Sequence, residues 1–131
     1  MTETIPEMIP FSYVLAVRNL RRTTVWFRDV LGFELMWPEG GGWQLAKRGS
    51  VRVMLGECPE AQKAADLGDH NYFAYLHVTN AAALHDEWTR RGATIVSPLT
   101  DQPHGMREFM VATPDGHRMM IGQTLDLPSA P

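Results

Sequence analysis

The segment from Phe73 to His77 carries the side chains in this sequence that are best suited to chemistry. Alternate residues of a β-strand face the same side, so Phe73, Tyr75 and His77 share one face if the segment is extended. An imidazole can transfer protons near neutral pH, and Tyr75 or Arg52 would be its partner. His77 is therefore the candidate catalytic residue. The alternative is that its imidazole bonds a neighbouring group or solvent and takes no part in chemistry.

The sequence gives less support to a metal site or to a catalytic nucleophile. His70, His77 and His104 are the histidines that could gather a metal, but their spacing does not match a zinc signature. Cys58 is the single cysteine and has no obvious base near it in the sequence. It cannot form an internal disulfide, which favours a reducing compartment. We therefore predict no cofactor.

The composition predicts a globular chain with one domain, or with two half-size modules that share a core. Its 131 residues are 44% hydrophobic and 21% charged, and the net charge is −3. No basic block is present, so we expect no nucleic-acid partner. We see neither a signal peptide nor an apolar run of about 18 residues, the length that a membrane span needs. The sequence therefore predicts a cytoplasmic protein that does not bind a membrane.

Strand and helix signals occur in the same order in the two halves of the chain. Asn19 and Asn80 are each placed as the N-cap of an amphipathic helix. A polar linker over 58–71 separates the halves, and a long turn is expected over 98–106. In the first half the signals predict strands over 11–17, 33–37, 43–47 and 51–55 and a helix over 20–31; in the second half they predict strands over 72–78, 93–97 and 107–112 and one after the turn at 113–116, with a helix after residue 80.

The two halves are copies of one βαβββ pattern. An internal duplication of about 50 residues is the primary indication of the architecture, ahead of any single helix or strand. We therefore expect an α+β fold in which each half forms a curved half-barrel sheet, with a cleft between the two open faces. Adding 66 places Arg52, Met54, Leu55, Gly56 and Glu57 on Arg118, Met120, Ile121, Gly122 and Gln123, and adding 61 places Val14, Leu15, Val17, Asn19 and Phe27 on Tyr75, Leu76, Val78, Asn80 and Trp88.

Three motifs in this order resemble the vicinal oxygen chelate superfamily, which includes glyoxalase I, extradiol dioxygenases, and fosfomycin and bleomycin resistance proteins. The motifs are Asn19-Leu20, the segment W-F-R-D-V-L-G-F over 26–33, and T-P-D-G over 113–116. The likeness covers residues 9–124. Within it, the segments A-L-H-D-E-W over 83–88 and R-E-F over 107–109 look closest to the bleomycin-binding proteins. The resemblance implies one domain over 1–131, with module 1 over 9–57 and module 2 over 72–124, and a homodimer.

The resemblance also identifies four positions at which the superfamily's enzymes hold a divalent cation with His, Glu or Gln. In this sequence they are Ser12, Met54, Phe73 and Met120. Phenylalanine has no donor atom, a thioether suits Cu(I) better than Fe, Mn, Zn or Ni, and a lone serine supplies one weak oxygen. We therefore predict no metal site.

Strand alternation then suggests what would line the cleft. If Met54 and Met120 point inwards, Arg52 and Arg118 share their face, and Trp37 and Trp43 flank the mouth. Such a lining suits a planar, partly apolar organic molecule, with arginine available for an anionic group. The alternative is that Phe73, Met54 and Met120 fill a closed core. The predicted ligand-binding residues are Trp37, Trp43, Arg52, Met54, Phe73, Tyr75, His77 and Met120.

Three functions follow from this lining. The sequence favours a metal-free protein of the bleomycin-resistance type that sequesters a small organic compound such as an antibiotic. The first alternative is an enzyme, either a lyase, isomerase or dioxygenase with an atypical or absent metal site, or a metal-free acid–base catalyst built on His77. The second alternative is a structural or regulatory dimer with a filled cleft.

Overall fold

The computed structural model of the chain describes residues 6–67 and 72–125. These residues form two four-stranded mixed sheets, each with one helix, in the predicted βαβββ order. The first module contains β1 (Tyr13–Val17), α1 (Leu20–Asp29), β2 (Glu34–Leu35), β3 (Trp43–Arg48) and β4 (Val51–Glu57). The second contains β5 (Tyr72–His77), α2 (Ala81–Arg90), β6 (Thr94–Asp101), β7 (Met106–Ala112) and β8 (Arg118–Thr124).

The two sheets have the same strand order, which confirms the internal repeat. The order is β1-β4-β3-β2 in the first module and β5-β8-β7-β6 in the second. In each sheet the first strand runs parallel to the fourth, and the remaining neighbours are antiparallel. The sheets do not close into a barrel. The predicted α+β fold of two βαβββ modules is therefore confirmed.

Equivalent polar residues begin the two helices. The side chain of Asn19 accepts a hydrogen bond from Arg22 N, and that of Asn80 accepts one from Ala83 N. The first residue of each helix donates its backbone N–H to the end of the fourth strand of its own module: Leu20 N to Glu57 Oε2 at 3.0 Å, and Ala81 N to Gln123 Oε1 at 2.9 Å. These contacts satisfy backbone donors that a helix leaves unpaired at its N-terminus.

One hydrophobic core joins the modules on the helix side of the sheets. Phe27 and Trp88, which the repeat predicts to be equivalent, are both buried in it. The carbonyl of Leu31, just after α1, accepts hydrogen bonds from Trp88 Nε1 at 3.1 Å and from Arg48 Nη1 at 2.6 Å. Arg48 also pairs with Glu87 of α2 at 2.7 Å. The end of α1 is thus fixed to the second module by one indole and one ion pair.

Two predicted elements differ most from the structure in length, whereas the others agree to within about two residues at each end. The second strand is limited to Glu34–Leu35, because the Gln44 side chain bonds both the N–H and the carbonyl of Trp37. β6 runs on through Pro98 to Asp101, so the long turn expected over 98–106 shrinks to 102–105. An edge strand tolerates proline because one side of it needs no partner. The end of the predicted linker, including His70, lies outside the described residues.

Candidate functional site

A cavity of about 480 Å³ lies where the first strands of the two modules meet. The ring of Tyr13 on β1 meets the ring of Phe73 on β5 edge to face, 5.7 Å between centroids. The cavity opens beside this contact. Its walls come from the segment before β1, from the start of β4 and from the end of β5. The residues that line it are Pro10, Phe11, Ser12, Tyr13, Ser50, Val51, Arg52, Tyr75, Leu76 and His77.

The polar groups of this cavity come from both modules. The Arg52 guanidinium lies over the Phe11 ring, 5.2 Å from its centroid, which is a cation–π arrangement. From the other module come Tyr75 and His77, whose rings are 5.6 Å apart. A guanidinium donates only, and it favours an anionic or accepting group. The cavity is therefore suited to a small aromatic molecule that carries an acceptor.

The Tyr75 ring lies across the neighbouring strand β8. Its hydroxyl donates a hydrogen bond to Glu108 Oε2 on β7, two strands away in the sheet. The residue between them is Gly122, where a methyl group would overlap the Tyr75 hydroxyl. Burial and the bond to Glu108 raise the pKa of Tyr75 to about 12, so the phenol keeps its hydrogen at neutral pH.

Glu108 is an acid in an unusual place, because it is nine-tenths buried on the face of the sheet that is not covered by α2. Its Oε2 also lies 3.3 Å from His104 Nε2, so two groups meet at one oxygen. Sequence reasoning did not select Glu108 or associate His104 with Tyr75. In the register of β7 and β8, Glu108 pairs with Gly122, the residue that the Tyr75 ring covers. What the sequence lacked was the pairing of β5 with β8.

The structure places three of the predicted ligand-binding residues together and distributes the others. Arg52, Tyr75 and His77 line the 480 Å³ cavity. Trp43 is 47% exposed, covers Gly56 and lines a separate cavity of about 250 Å³ near the start of α1. Trp37 is half-buried and is not among the residues that line either cavity.

The remaining predicted residues are the methionines and Phe73. Met54 and Met120 are half-buried and lie on the sheet faces away from the helices, as the alternation predicts. Phe73 packs against the hydrophobic core, which is the alternative that the sequence left open for it. A break in register between Tyr72 and Ala74 shifts this residue out of strict alternation with Tyr75.

The four positions of the superfamily's metal ligands do not fit a divalent cation in this chain. The Ser12 hydroxyl donates to the carbonyl of Tyr13 at 2.6 Å, and the Phe73 ring packs against Tyr13 and His117. Met54 and Met120 offer only thioethers. Within residues 6–67 and 72–125, no group of three or more His, Cys, Asp or Glu side chains could hold a metal ion.

Comparison with known proteins identifies the family. The model of the Glyoxalase/Bleomycin resistance protein/Dioxygenase superfamily matches residues 10–121. The chain belongs to this superfamily. The resemblance inferred from the sequence motifs is therefore confirmed. A comparison with curated proteins gave no match.

Several solved structures share the fold of this chain. TioX from Micromonospora sp. ML1 is 25% identical with a TM-score of 0.72, over 88% of this chain and 98% of TioX. A bleomycin-binding protein from bleomycin-producing Streptomyces verticillus, solved with copper(II)-bleomycin, is 23% identical with a TM-score of 0.68, over 94% and 100% of the chains. A bleomycin resistance determinant encoded on the transposon Tn5 is 19% identical with a TM-score of 0.73, over 92% and 100%.

Proposed function

We propose that this superfamily member binds a planar, partly apolar organic compound and sequesters it without a metal. The binding unit is a single domain with module 1 over 9–57, a linker over 58–71 and module 2 over 72–124. The observation that carries the proposal is the 480 Å³ cavity between the modules, which combines the Arg52 guanidinium with aromatic and imidazole rings. A cavity of this size matches the volume of small-molecule sites in general.

Two further observations support sequestration. The superfamily's metal positions carry Ser12, Met54, Phe73 and Met120, which are poor ligands for a divalent ion. In addition, a protein of the same fold is a bleomycin-binding protein, which makes an antibiotic a reasonable first class of ligand to test. Sequestration requires only that the protein buries most of the compound's surface, so it needs no catalytic residue.

Calorimetric titration with planar antibiotics and with aromatic carboxylates tests this function. We expect saturable binding, and Arg52→Met should weaken the binding of carboxylates about tenfold and that of the corresponding neutral amides by less. Arg22→Met, an exposed residue of α1, is the matched control. Binding of no compound in the panel, or a stoichiometric divalent metal in the purified protein, would contradict the proposal.

A metal-free acid–base enzyme is the second candidate, and one observation favours it. His77 lines both the 480 Å³ cavity and a cavity of about 540 Å³ between α2 and the turn after β3, and it is exposed. Tyr75 is a poor partner as a base, because its pKa is raised to about 12. If an activity is found, His77→Ala should abolish it with the protein still folded. Retention of the activity in His77→Ala would remove this candidate.

We also propose that the protein is a homodimer. Large apolar side chains remain exposed on the open face of the first sheet, with Val14 at 59% and Trp43 at 47%. Exposed apolar residues that lie together often mark an interface. Light scattering coupled to size exclusion should give twice the monomer mass, and Val14→Lys should lower it to one chain. A monomer at high concentration would refute the dimer.

A further inference from the structure

The hydroxyl of Tyr75 donates its hydrogen to Glu108, which leaves the phenolic oxygen able only to accept further hydrogen bonds. Tyr75 lines the cavity, whereas Glu108, which accepts its hydrogen bond, is not among the residues that line it. A phenol has one hydrogen and two lone pairs. With the hydrogen directed to Glu108, the phenolic oxygen can only accept a hydrogen bond from a ligand.

Three features keep the hydroxyl in this orientation. Glu108 is nine-tenths buried, so its carboxylate has little water to bind and depends on protein donors. The ring lies over Gly122, which has no side chain to displace it. The phenol holds its proton at neutral pH because its pKa is about 12. The negative carboxylate also makes the phenolic oxygen a stronger acceptor, since hydrogen bonds in a chain polarise one another.

The wall of the cavity that contains Arg52 offers hydrogen-bond donors, whereas the phenolic oxygen of Tyr75 is an acceptor. Arg52 can only donate. The two walls therefore require complementary groups on one ligand. We infer that the cavity selects an aromatic compound that has an anionic or accepting group toward Arg52 and an N–H or O–H donor toward Tyr75, with Glu108 as the positioning residue that sets the polarity of Tyr75. This inference rests on the proposed binding function and specifies its ligand class.

Isosteric ligand pairs test the inference. Indole-2-carboxylate and indole-3-carboxylate carry an N–H where benzofuran-2-carboxylate and benzofuran-3-carboxylate carry an oxygen. Calorimetry gives the ratio of the two affinities within each pair, and Tyr75→Phe provides the ratio without the phenol. For at least one pair, the ratio of indole affinity to benzofuran affinity should be about threefold to tenfold higher in the wild type than in Tyr75→Phe. This is the range expected for one net hydrogen bond.

Removing the carboxylate should reverse this preference. Glu108→Met keeps an unbranched side chain but accepts no strong hydrogen bond, so the Tyr75 hydrogen becomes free to bind the benzofuran oxygen. His104 could take that hydrogen instead, because its Nε2 lies near the same carboxylate oxygen. The double variant Glu108→Met/His104→Ala removes this acceptor as well. Glu34→Met, an exposed residue of β2, is the control and should keep the wild-type ratio.

The outcomes separate the inference from the function on which it rests. A shift toward the benzofurans in the double variant supports the inference. If the carboxylates bind but the ratio is the same in the wild type, Tyr75→Phe and the double variant, the inference is wrong and the binding function stands. If no carboxylate binds the wild type, the inference is wrong, and the titration with planar antibiotics then decides whether the binding function stands. Circular dichroism confirms that each variant is folded, and Glu108→Leu replaces Glu108→Met if the latter is not.

Discussion

The hydroxyl of Tyr75 on β5 donates its hydrogen to Oε2 of Glu108 on β7, across the intervening strand β8. The bond joins residues 33 positions apart. It links the wall of the cavity to a buried acid and, after burial, it is the second cause of the raised pKa of Tyr75. The first two predictions follow from it.

Alkaline titration should detect this bond directly. In the wild-type protein one tyrosine should ionise with a pKa of about 12, and that transition should be missing from Tyr75→Phe. Burial is the larger cause of the shift and the bond to Glu108 is the second. In Glu108→Met the pKa should therefore fall, but should stay above the ordinary value of 10.0. Ultraviolet absorbance of tyrosinate is the measurement, and an unchanged pKa in Glu108→Met would contradict the bond.

Gly122→Ala should destabilise the protein and disturb Tyr75. The added methyl group overlaps the Tyr75 hydroxyl, so the ring must move away from Glu108. Overpacking of this kind costs about 1 to 3 kcal/mol, measurable by urea unfolding. Gly41→Ala is the control, because Gly41 has no atom within 4 Å of an added Cβ and no positive φ. Equal stabilities of the two variants would show that Gly122 is not needed to admit the ring.

Glu87 should contribute a pH-dependent part of the attachment between the modules. The hydrogen bonds from Arg48 hold the pKa of the Glu87 carboxyl below its ordinary value of 4.5, with burial acting against them. A lowered pKa in the folded state stabilises the protein above pH 4.5, and this contribution is lost as the pH falls through the folded-state pKa.

Comparison of the wild type with Glu87→Gln tests this dependence. At pH 7 the variant should have a lower free energy of unfolding, by less than about 1 kcal/mol because the pair is partly solvated. The difference should shrink at pH 3. Asp101→Asn breaks the more exposed pair with Arg107 and should have a smaller effect at pH 7. A Glu87→Gln effect that is independent of pH would exclude an electrostatic origin.

The repeat itself makes a prediction at the start of α2. Gln123 accepts a hydrogen bond from Ala81 N, and its equivalent Glu57 accepts one from Leu20 N. Gln123→Ala should cost about 1 kcal/mol, as the loss of a helix N-terminal acceptor does. Gln123→Glu places the first module's residue in the second and should be neutral or stabilising, because a carboxylate favours a helix N-terminus. Destabilisation by both substitutions to the same extent would contradict the capping role.

The amino-acid sequence by itself determined the two βαβββ modules, the helix starts at Asn19 and Asn80, and the superfamily. These features depend on local periodicity, on capping chemistry and on the repetition of one pattern, all of which are visible along the chain. The alternation of β5 also predicted that Tyr75 and His77 share a face, and their rings lie 5.6 Å apart in the structure.

The tertiary structure alone decided which residues meet. The pairing of Tyr75 with Glu108, the ion pair of Arg48 with Glu87 and the break in register at Phe73 all depend on how strands distant in sequence lie side by side. A single sequence contains no signal for such register, because side-chain alternation fixes the face of a strand but not its neighbour's offset. For the same reason the sequence does not reveal the role of Glu108. That role depends on Gly122 beside it on β8 and on the Tyr75 hydroxyl.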